Sequence, residues 1–268
     1  TWYTFRNGNS YTDWEQLPGG IRQIHVSGDG SVVWGVNHEN NGNSYYSIRQ
    51  DSQDEPWSNW NQLGPDDLKF RSISVSNDGG VVLGVRNGGG LDETWYTFRN
   101  GDSYTEWGQL SHDSITSRLT GQLGFRQIRV SRDGTVVWGN TGAINGFAYY
   151  SIRQDNQDEP WSSWNILSNE DNSLQFRSIS LSDDGGVVFG VRNSGGLDQT
   201  WYTFRNGDSY TEWRQLSHEG ITNFLTAQTG LRRISVSGDG SVVWGNTGGG
   251  VGYAYYSIRQ DSQDEPWS

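Results

Sequence analysis

An all-β fold is predicted for this chain by three observations. Helical hydrophobic periodicity is absent. Gly, Asn, Asp and Ser interrupt the sequence about every ten residues, and one unit of about 50 residues recurs from end to end.

The unit comes in two versions that alternate. TWYTFRNGNSYTDWEQL at Thr1 returns as TWYTFRNGDSYTEWGQL at Thr94 and TWYTFRNGDSYTEWRQL at Thr200. Between them stand YYSIRQDSQDEPWSNWNQL from Tyr45, YYSIRQDNQDEPWSSWNIL from Tyr149 and YYSIRQDSQDEPWS from Tyr255. Two units make a double repeat of roughly 100 residues, and the near-identity of the copies points to recent duplication. Residues 1–268 are read as a single domain built from such pairs, the last repeat incomplete.

Each unit reads as four short strands. In FRSISVS, Phe70 to Ser76, Ile73 and Val75 alternate with Ser72 and Ser74, the period of a half-exposed strand. A turn follows at Asp29-Gly30, Asp78-Gly79, Asp133-Gly134, Asp184-Gly185 and Asp239-Gly240, where Gly accepts the positive φ of a tight hairpin. VVLGV or VVWGV forms the second strand, WYTFR or YYSIR the third, and the residues around WNQL the fourth. Such a unit cannot bury both faces by itself, so copies must stack, and radial stacking gives a β-propeller of four-stranded antiparallel blades. Jelly rolls and sandwiches leave the repeat length and its fixed tryptophan unexplained.

The third strand occurs six times, starting at Trp2, Tyr45, Trp95, Tyr149, Trp201 and Tyr255, whereas the serine-rich hairpin before it occurs five times. One more hairpin leading from Ser268 back to Thr1 closes three double repeats into six blades, the favoured reading. Five blades with a left-over outer strand pair are the alternative. An open ring exposes sheet edges and apolar faces and invites pairing with another chain, so a homodimer that completes the ring is one expectation.

Charge and composition exclude several classes. A net charge of -12 opposes nucleic acid and anionic membrane surfaces and leaves neutral partners favoured. No stretch approaches the roughly 18 consecutive apolar residues of a membrane span, so a soluble protein without membrane insertion is expected. Without cysteine there is no disulfide and no thiolate metal site. No secretory leader is visible, although Thr1 is no genetic start, and no Asn obeys the N-x-Ser/Thr rule. A cytoplasmic or non-classically secreted location is favoured. Nucleophile elbows, phosphate loops and dinucleotide fingerprints are missing, and the Asp-Gly turns are too short for calcium loops, so neither cofactor nor metal is expected. His25, His38, His112 and His218 fall at dissimilar positions of the unit and read as loop or strand residues.

IRQIHVSGDGSVVWGV, FRQIRVSRDGTVVWGN and LRRISVSGDGSVVWGN resemble the tectonin or tachylectin-2-like repeat, in which an alternating strand, an Asp-Gly turn and a VWGV strand form one blade. The resemblance recurs in all five hairpins; Leu83 and Phe189 replace the tryptophan in alternate units. It implies a lectin without catalysis, with several equivalent carbohydrate sites lying between neighbouring blades. N-acetylglucosamine-containing glycans are the ligands that it suggests.

The tryptophans divide by position. Trp14, Trp60, Trp107, Trp164 and Trp213 occur in every complete unit and read as packing between blades, while Trp34, Trp138 and Trp244 read as core. Trp57, Trp161 and Trp267 occur only in the DEPW version, beside acids. An aromatic face for a sugar's C–H patch next to hydroxyl acceptors is what a carbohydrate site needs. Three candidate sites result: Asp54, Glu55 and Trp57; Asp158, Glu159 and Trp161; Asp264, Glu265 and Trp267. If they are sugar sites, removing Trp57 and Trp161 weakens binding and leaves stability almost unchanged; if the rings fold back on the blade, they are corners of the fold. Asn37, Asn87, Asn140, Asn193 and Asn246, in loops of the opposite face, are further candidates. A protein-interaction scaffold is the alternative. A glycoside hydrolase is the weaker one, because catalysis asks two carboxyls to differ in environment and repetition makes them alike. The recurring arginines, such as Arg49, Arg99 and Arg153, read as structural.

Overall fold

The computed structural model describes residues 1–7, 9–17, 20–21, 23–37, 42–52, 56–87, 92–110, 125–141, 146–167, 174–193, 198–216, 231–247, 254–260 and 266–267. Among these residues every regular element is a strand, and all pairing is antiparallel.

The chain opens with an outer strand pair. β1 (Trp2–Tyr3) pairs β4 (Glu15–Gln16), and the hairpin of β2 (Arg6–Asn7) and β3 (Ser10–Tyr11) extends it. The first blade is β5 (Gln23–Val26), β6 (Val32–Val36), β7 (Ser44–Ile48) and β8 (Asn61–Leu63), bonded in that order. In the second, β9 (Phe70–Val75), β10 (Val81–Asn87) and β11 (Asp92–Asn100) are flanked by β12 (Ser103–Tyr104) and β13 (Gly108–Leu110). The third is β14 (Phe125–Val130), β15 (Val136–Thr141), β16 (Ala148–Ile152) and β17 (Asn165–Ile166). The fourth repeats the second, with β18 (Ser178–Leu181), β19 (Val187–Asn193), β20 (Asp198–Asn206), β21 (Ser209–Tyr210) and β22 (Arg214–Gln215). The fifth comprises β23 (Leu231–Val236), β24 (Val242–Thr247) and β25 (Ala254–Ile258), after which Arg259 bridges to Trp267.

One register holds throughout. The glycine of each VVxG strand faces the first aromatic of the third strand: Gly35 with Tyr45, Gly84 with Trp95, Gly139 with Tyr149, Gly190 with Trp201 and Gly245 with Tyr255. A Cβ at Gly84, Gly139 or Gly190 would run into the ring of Phe70 or Phe125, which begin the innermost strands of their blades, or of Phe176, which stands two residues before β18. The motif is glycine because an aromatic ring occupies that space.

The Asp-Gly turns are built by their preceding serine. In the first blade Ser27 Oγ donates to Asp29 Oδ1 at 2.6 Å, the Ser31 amide donates to the same oxygen at 2.9 Å, and the Val32 amide donates to Ser27 Oγ at 3.0 Å. Gly30 follows with φ +69°, in the left-handed region that a side chain disfavours. The turns also link the blades. The Asp29 amide donates to Asn77 O (2.9 Å), Asn77 to Arg132 O (2.7 Å), Asp133 to Asp183 O (3.3 Å) and Asp183 to Gly238 O (2.8 Å). All five innermost strands line one central channel of about 850 Å³, reached by His25, Ser72, Gln127, Arg129, Ser180 and Ser235. Sheets stacked in sequence around a channel form a β-propeller, as the repeat predicts.

Packing between blades supplies the core, and it alternates between two kinds of junction. Adjacent residues of a strand point to opposite faces, so Tyr149 joins the cluster shared with the second blade and Tyr150 the cluster shared with the fourth. At the first kind of junction Trp34 and Tyr46 meet Tyr104 and Trp107, with Trp34 ring centroids 4.7 and 5.7 Å from the latter two. Trp138 and Tyr150 meet Tyr210 and Trp213 in the same way, at 4.8 and 5.8 Å from Trp138. The indole N–H of Trp107 donates to Leu63 O and that of Trp213 to Leu167 O. Trp14 and Trp244 depart from the expected packing, being 66% and 50% exposed.

Candidate functional site

The second kind of junction carries the DEPW loops. At the boundary of the second and third blades, β11 presents Tyr96 and Phe98, and the guanidinium of Arg153 lies 4.6 Å over the Phe98 ring. Arg49 over Phe5 and Arg259 over Phe204, at 4.7 and 4.9 Å, repeat the arrangement. These three arginines act on aromatic faces, whereas Arg99 and Arg205 of the alternate units bond loop carbonyls, their Nε donating to Gly101 O at 3.0 Å and to Gly207 O at 3.1 Å; both uses are structural, as the sequence leads one to expect. Each DEPW tryptophan closes its loop by a bridge to that arginine: Trp57 to Arg49, Trp161 to Arg153 and Trp267 to Arg259. Behind the bridge the amide of Gln50, Gln154 or Gln260 donates to the carbonyl of Pro56, Pro160 or Pro266 at 2.8, 2.8 and 2.7 Å. Proline supplies the fixed φ and keeps its carbonyl free to accept.

These tryptophans are therefore corners of the fold. Trp161 and Trp267 are 5% and 6% exposed, the former in a cluster with Leu83, Leu110 and Phe125, the latter 4.8 Å from the Phe189 ring. Trp57 packs on Phe5, with centroids 6.4 Å apart. Their rings bury area at a blade junction, which favours the second of the two alternatives left open by the sequence, a ring folded back on the blade whose removal costs stability. All three indole N–H groups are nevertheless buried with no hydrogen-bond acceptor among the described residues, an arrangement that is costly unless something else supplies one.

The acids stand outside this wall. Asp158 and Glu159 are exposed, with the Asp158 amide held by Asn156 Oδ1 at 3.0 Å. They border a pocket of about 550 Å³ that crosses the junction, lined by Tyr96 and Gln109 from one blade and by Asp158, Glu159, Trp161 and Ser163 from the next. Burial raises the Tyr96 pKa, which keeps the phenol neutral. The pocket so offers carboxylate and amide acceptors, hydroxyls and aromatic surface, the functional groups that suit a neutral polyhydroxylated ligand. Asp54, Glu55, Asp264 and Glu265 lie outside the described residues.

Tyr96 and Gln109 are absent from the sequence-derived set. Their signal was available, since WYTF and the final QL recur in alternate units, but which blade reaches over which loop is a fact of stacking.

The asparagines do not form a common group. Asn140 is only 1% exposed, and its Nδ2 donates to Phe176 O at 3.1 Å, so it ties the third blade to the fourth and leaves the exposed candidate set. Asn37 and Asn246 are exposed; Asn37 Oδ1 accepts from the Asn43 amide at 3.1 Å. Asn87 and Asn193 end β10 and β19 opposite Asp92 and Asp198, and their side chains lie outside the description. The channel is a second concavity. There His25 has its pKa lowered by burial and then by the charge of Arg129.

No family model and no curated protein matches the chain. Solved structures do resemble it. A functionally unknown protein from Desulfotomaculum acetoxidans DSM 771 is similar with a TM-score of 0.59 and 12% identity, over 99% of this chain and 74% of that one. The Dos1 propeller matches with a TM-score of 0.54 and 8% identity, over 92% of this chain and 56% of its own. Hydrazine synthase of Kuenenia stuttgartiensis matches at 0.52 and 12%, over 97% and 68%. At such identities the likeness extends to the propeller fold and no further.

Proposed function

We propose that this propeller is a non-catalytic, multivalent carbohydrate-binding protein whose sites lie at the junctions that carry DEPW. The observation that supports the reading is the pocket joining Tyr96 and Gln109 to Asp158, Glu159 and Trp161 across a blade boundary. The sequence repeats its loop three times, so weak single sites add through avidity. Asp158 and Glu159 are adjacent and both exposed, which favours hydroxyl recognition over hydrolysis, where one carboxyl has to be held apart in a less polar setting.

Binding to a glycan array, with competition by free N-acetylglucosamine and other monosaccharides, is the test. A weakened signal in Asp158→Asn/Glu159→Gln, which leaves the other two copies of the loop intact, supports the site; array binding unchanged by that double substitution removes it. A protein-interaction scaffold is the second reading, supported by the exposed Tyr11, Trp14, Trp244 and Tyr256. Turnover of a chromogenic glycoside would overturn both.

A further inference from the structure

The central channel has a charge opposite to that of the chain. Its described lining includes four arginines, Arg71, Arg129, Arg132 and Arg177, together with His25, and Asp183 is the single carboxylate among those lining residues. Arg132 holds that carboxylate at 2.6 Å, so the acid is already matched. The chain as a whole has a net charge of -12. A basic concavity inside an acidic molecule focuses its field on the space that it encloses.

One varying position of the innermost strands decides how that space is furnished. Between the isoleucine and the following Val or Leu of the repeat stand His25, Ser74, Arg129, Ser180 and Ser235. The serines of the second and fourth blades serve the wall: Ser74 Oγ accepts from the Val130 amide and Ser180 Oγ from the Val236 amide, both at 3.1 Å. These bonds tie one innermost strand to the next and hold the lining in place. His25 and Arg129, from the first and third blades, are longer and basic, and no hydrogen bond or ion pair joins either side chain to another described residue. Burial first, and then the charge of Arg129, lowers the His25 pKa, so the two groups sense each other within the channel. Arg129 is open to the channel, yet desolvation by the walls lowers its pKa as well. An anion set between two such groups favours the charged form of both.

We infer that the channel is a binding site for a small oxyanion of two or more negative charges, a carboxylate or a phosphate, held by Arg129 and His25 between the first and third blades. The planar fork of Arg129 matches paired oxygens of either group, and the His25 ring donates one further N–H. Gln127 and Ser235 line the same space and offer donors to the remaining oxygens. Arg71 and Arg177 have interactions of their own and shape the wall. The size is limited by the channel, whose volume of about 850 Å³ falls in the small-molecule class. A long polyanion would instead meet the acidic exterior and be repelled.

Calorimetry on the whole chain with citrate and with inorganic pyrophosphate, at an ionic strength kept constant with sodium chloride, tests this. At least one of them is expected to bind saturably, one per chain, and to raise Tm with its concentration. The tighter of the two identifies the ligand as a carboxylate or a phosphate. Arg129→Gln should weaken binding by roughly tenfold or more, the worth of hydrogen bonds to a charged group. Arg214→Gln removes the same charge from the outer strand β22 and should leave binding unchanged, as should Asp158→Asn/Glu159→Gln in the glycan pocket. In an NMR titration the His25 ring resonances should show a higher midpoint with the anion than without it, a shift that a merely structural arginine would not produce. Absence of saturable binding by both anions overturns the inference. So does an equal loss in Arg129→Gln and Arg214→Gln, or a His25 midpoint that the bound anion does not move.

Discussion

The guanidinium of Arg153 lies 4.6 Å above the ring of Phe98, across the boundary between two blades. Arg153 itself is exposed, so the pair acts at the rim of the junction, where a cation over an aromatic face contributes about 0.5–1 kcal/mol. A double-mutant cycle of Arg153→Ala and Phe98→Leu, read by urea unfolding, should return a coupling of about that size. Additive losses would show that the arginine only covers the ring.

Trp161 and its neighbouring acids should separate stability from binding. Trp161→Ala removes a buried ring from the second junction and should cost about 3–5 kcal/mol. Asp158→Asn with Glu159→Gln changes exposed groups and should leave stability within about 0.5 kcal/mol while lowering glycan binding. Thermal and chemical unfolding of both variants, beside array binding, checks the pair.

Tyr104 sets an alkaline limit. Burial, above all, pushes its pKa from 10.0 to about 12, and its hydroxyl donates to Gly79 O. The neutral form is favoured in the fold, so this contribution is whole below pH 10 and is lost as pH rises through about 12. Tyr104→Phe should be less stable at neutral pH by about 1 kcal/mol, the net worth of one hydrogen bond. Its stability should also fall less steeply over that alkaline range.

At the acid end Asp239 is the informative group. Hydrogen bonds from Ser237 and then Ser241 hold its pKa near 2, against 3.8 ordinarily. Its contribution is complete above 3.8 and declines as pH falls through about 2. Carboxyl chemical shifts in an NMR titration should show that low midpoint, and Ser237→Ala should move it upward.

The repeated unit made the strands and turns readable without coordinates. Period-two runs such as Ile73–Val75 and the Ser-x-Asp-Gly turns are local, and their outcome depends on neighbours within one blade. The role of Trp161 was not local. Its loop and acids read as a site, yet its ring is held by Leu83 and Phe125, contributed by two different blades. Tyr96 and Gln109 escaped for the same reason, since their position at the pocket is set by stacking. Asn140 misled because a loop asparagine and an interblade tie have the same spelling; only its bond to Phe176 O distinguishes them.

The alternation of the two junctions constrains how such a ring changes in length. A blade with Trp34 and Tyr46 on its forward face is matched by one carrying Tyr104 and Trp107, and that blade in turn offers Tyr96 and Phe98 to an arginine and a DEPW loop. Losing or copying one unit would set like against like, leaving Trp34 and Tyr46 without the Tyr104 and Trp107 pair and the phenylalanine without its arginine. Duplication and deletion therefore keep both kinds of contact intact only in steps of two blades, and inheritance of this architecture runs by even numbers.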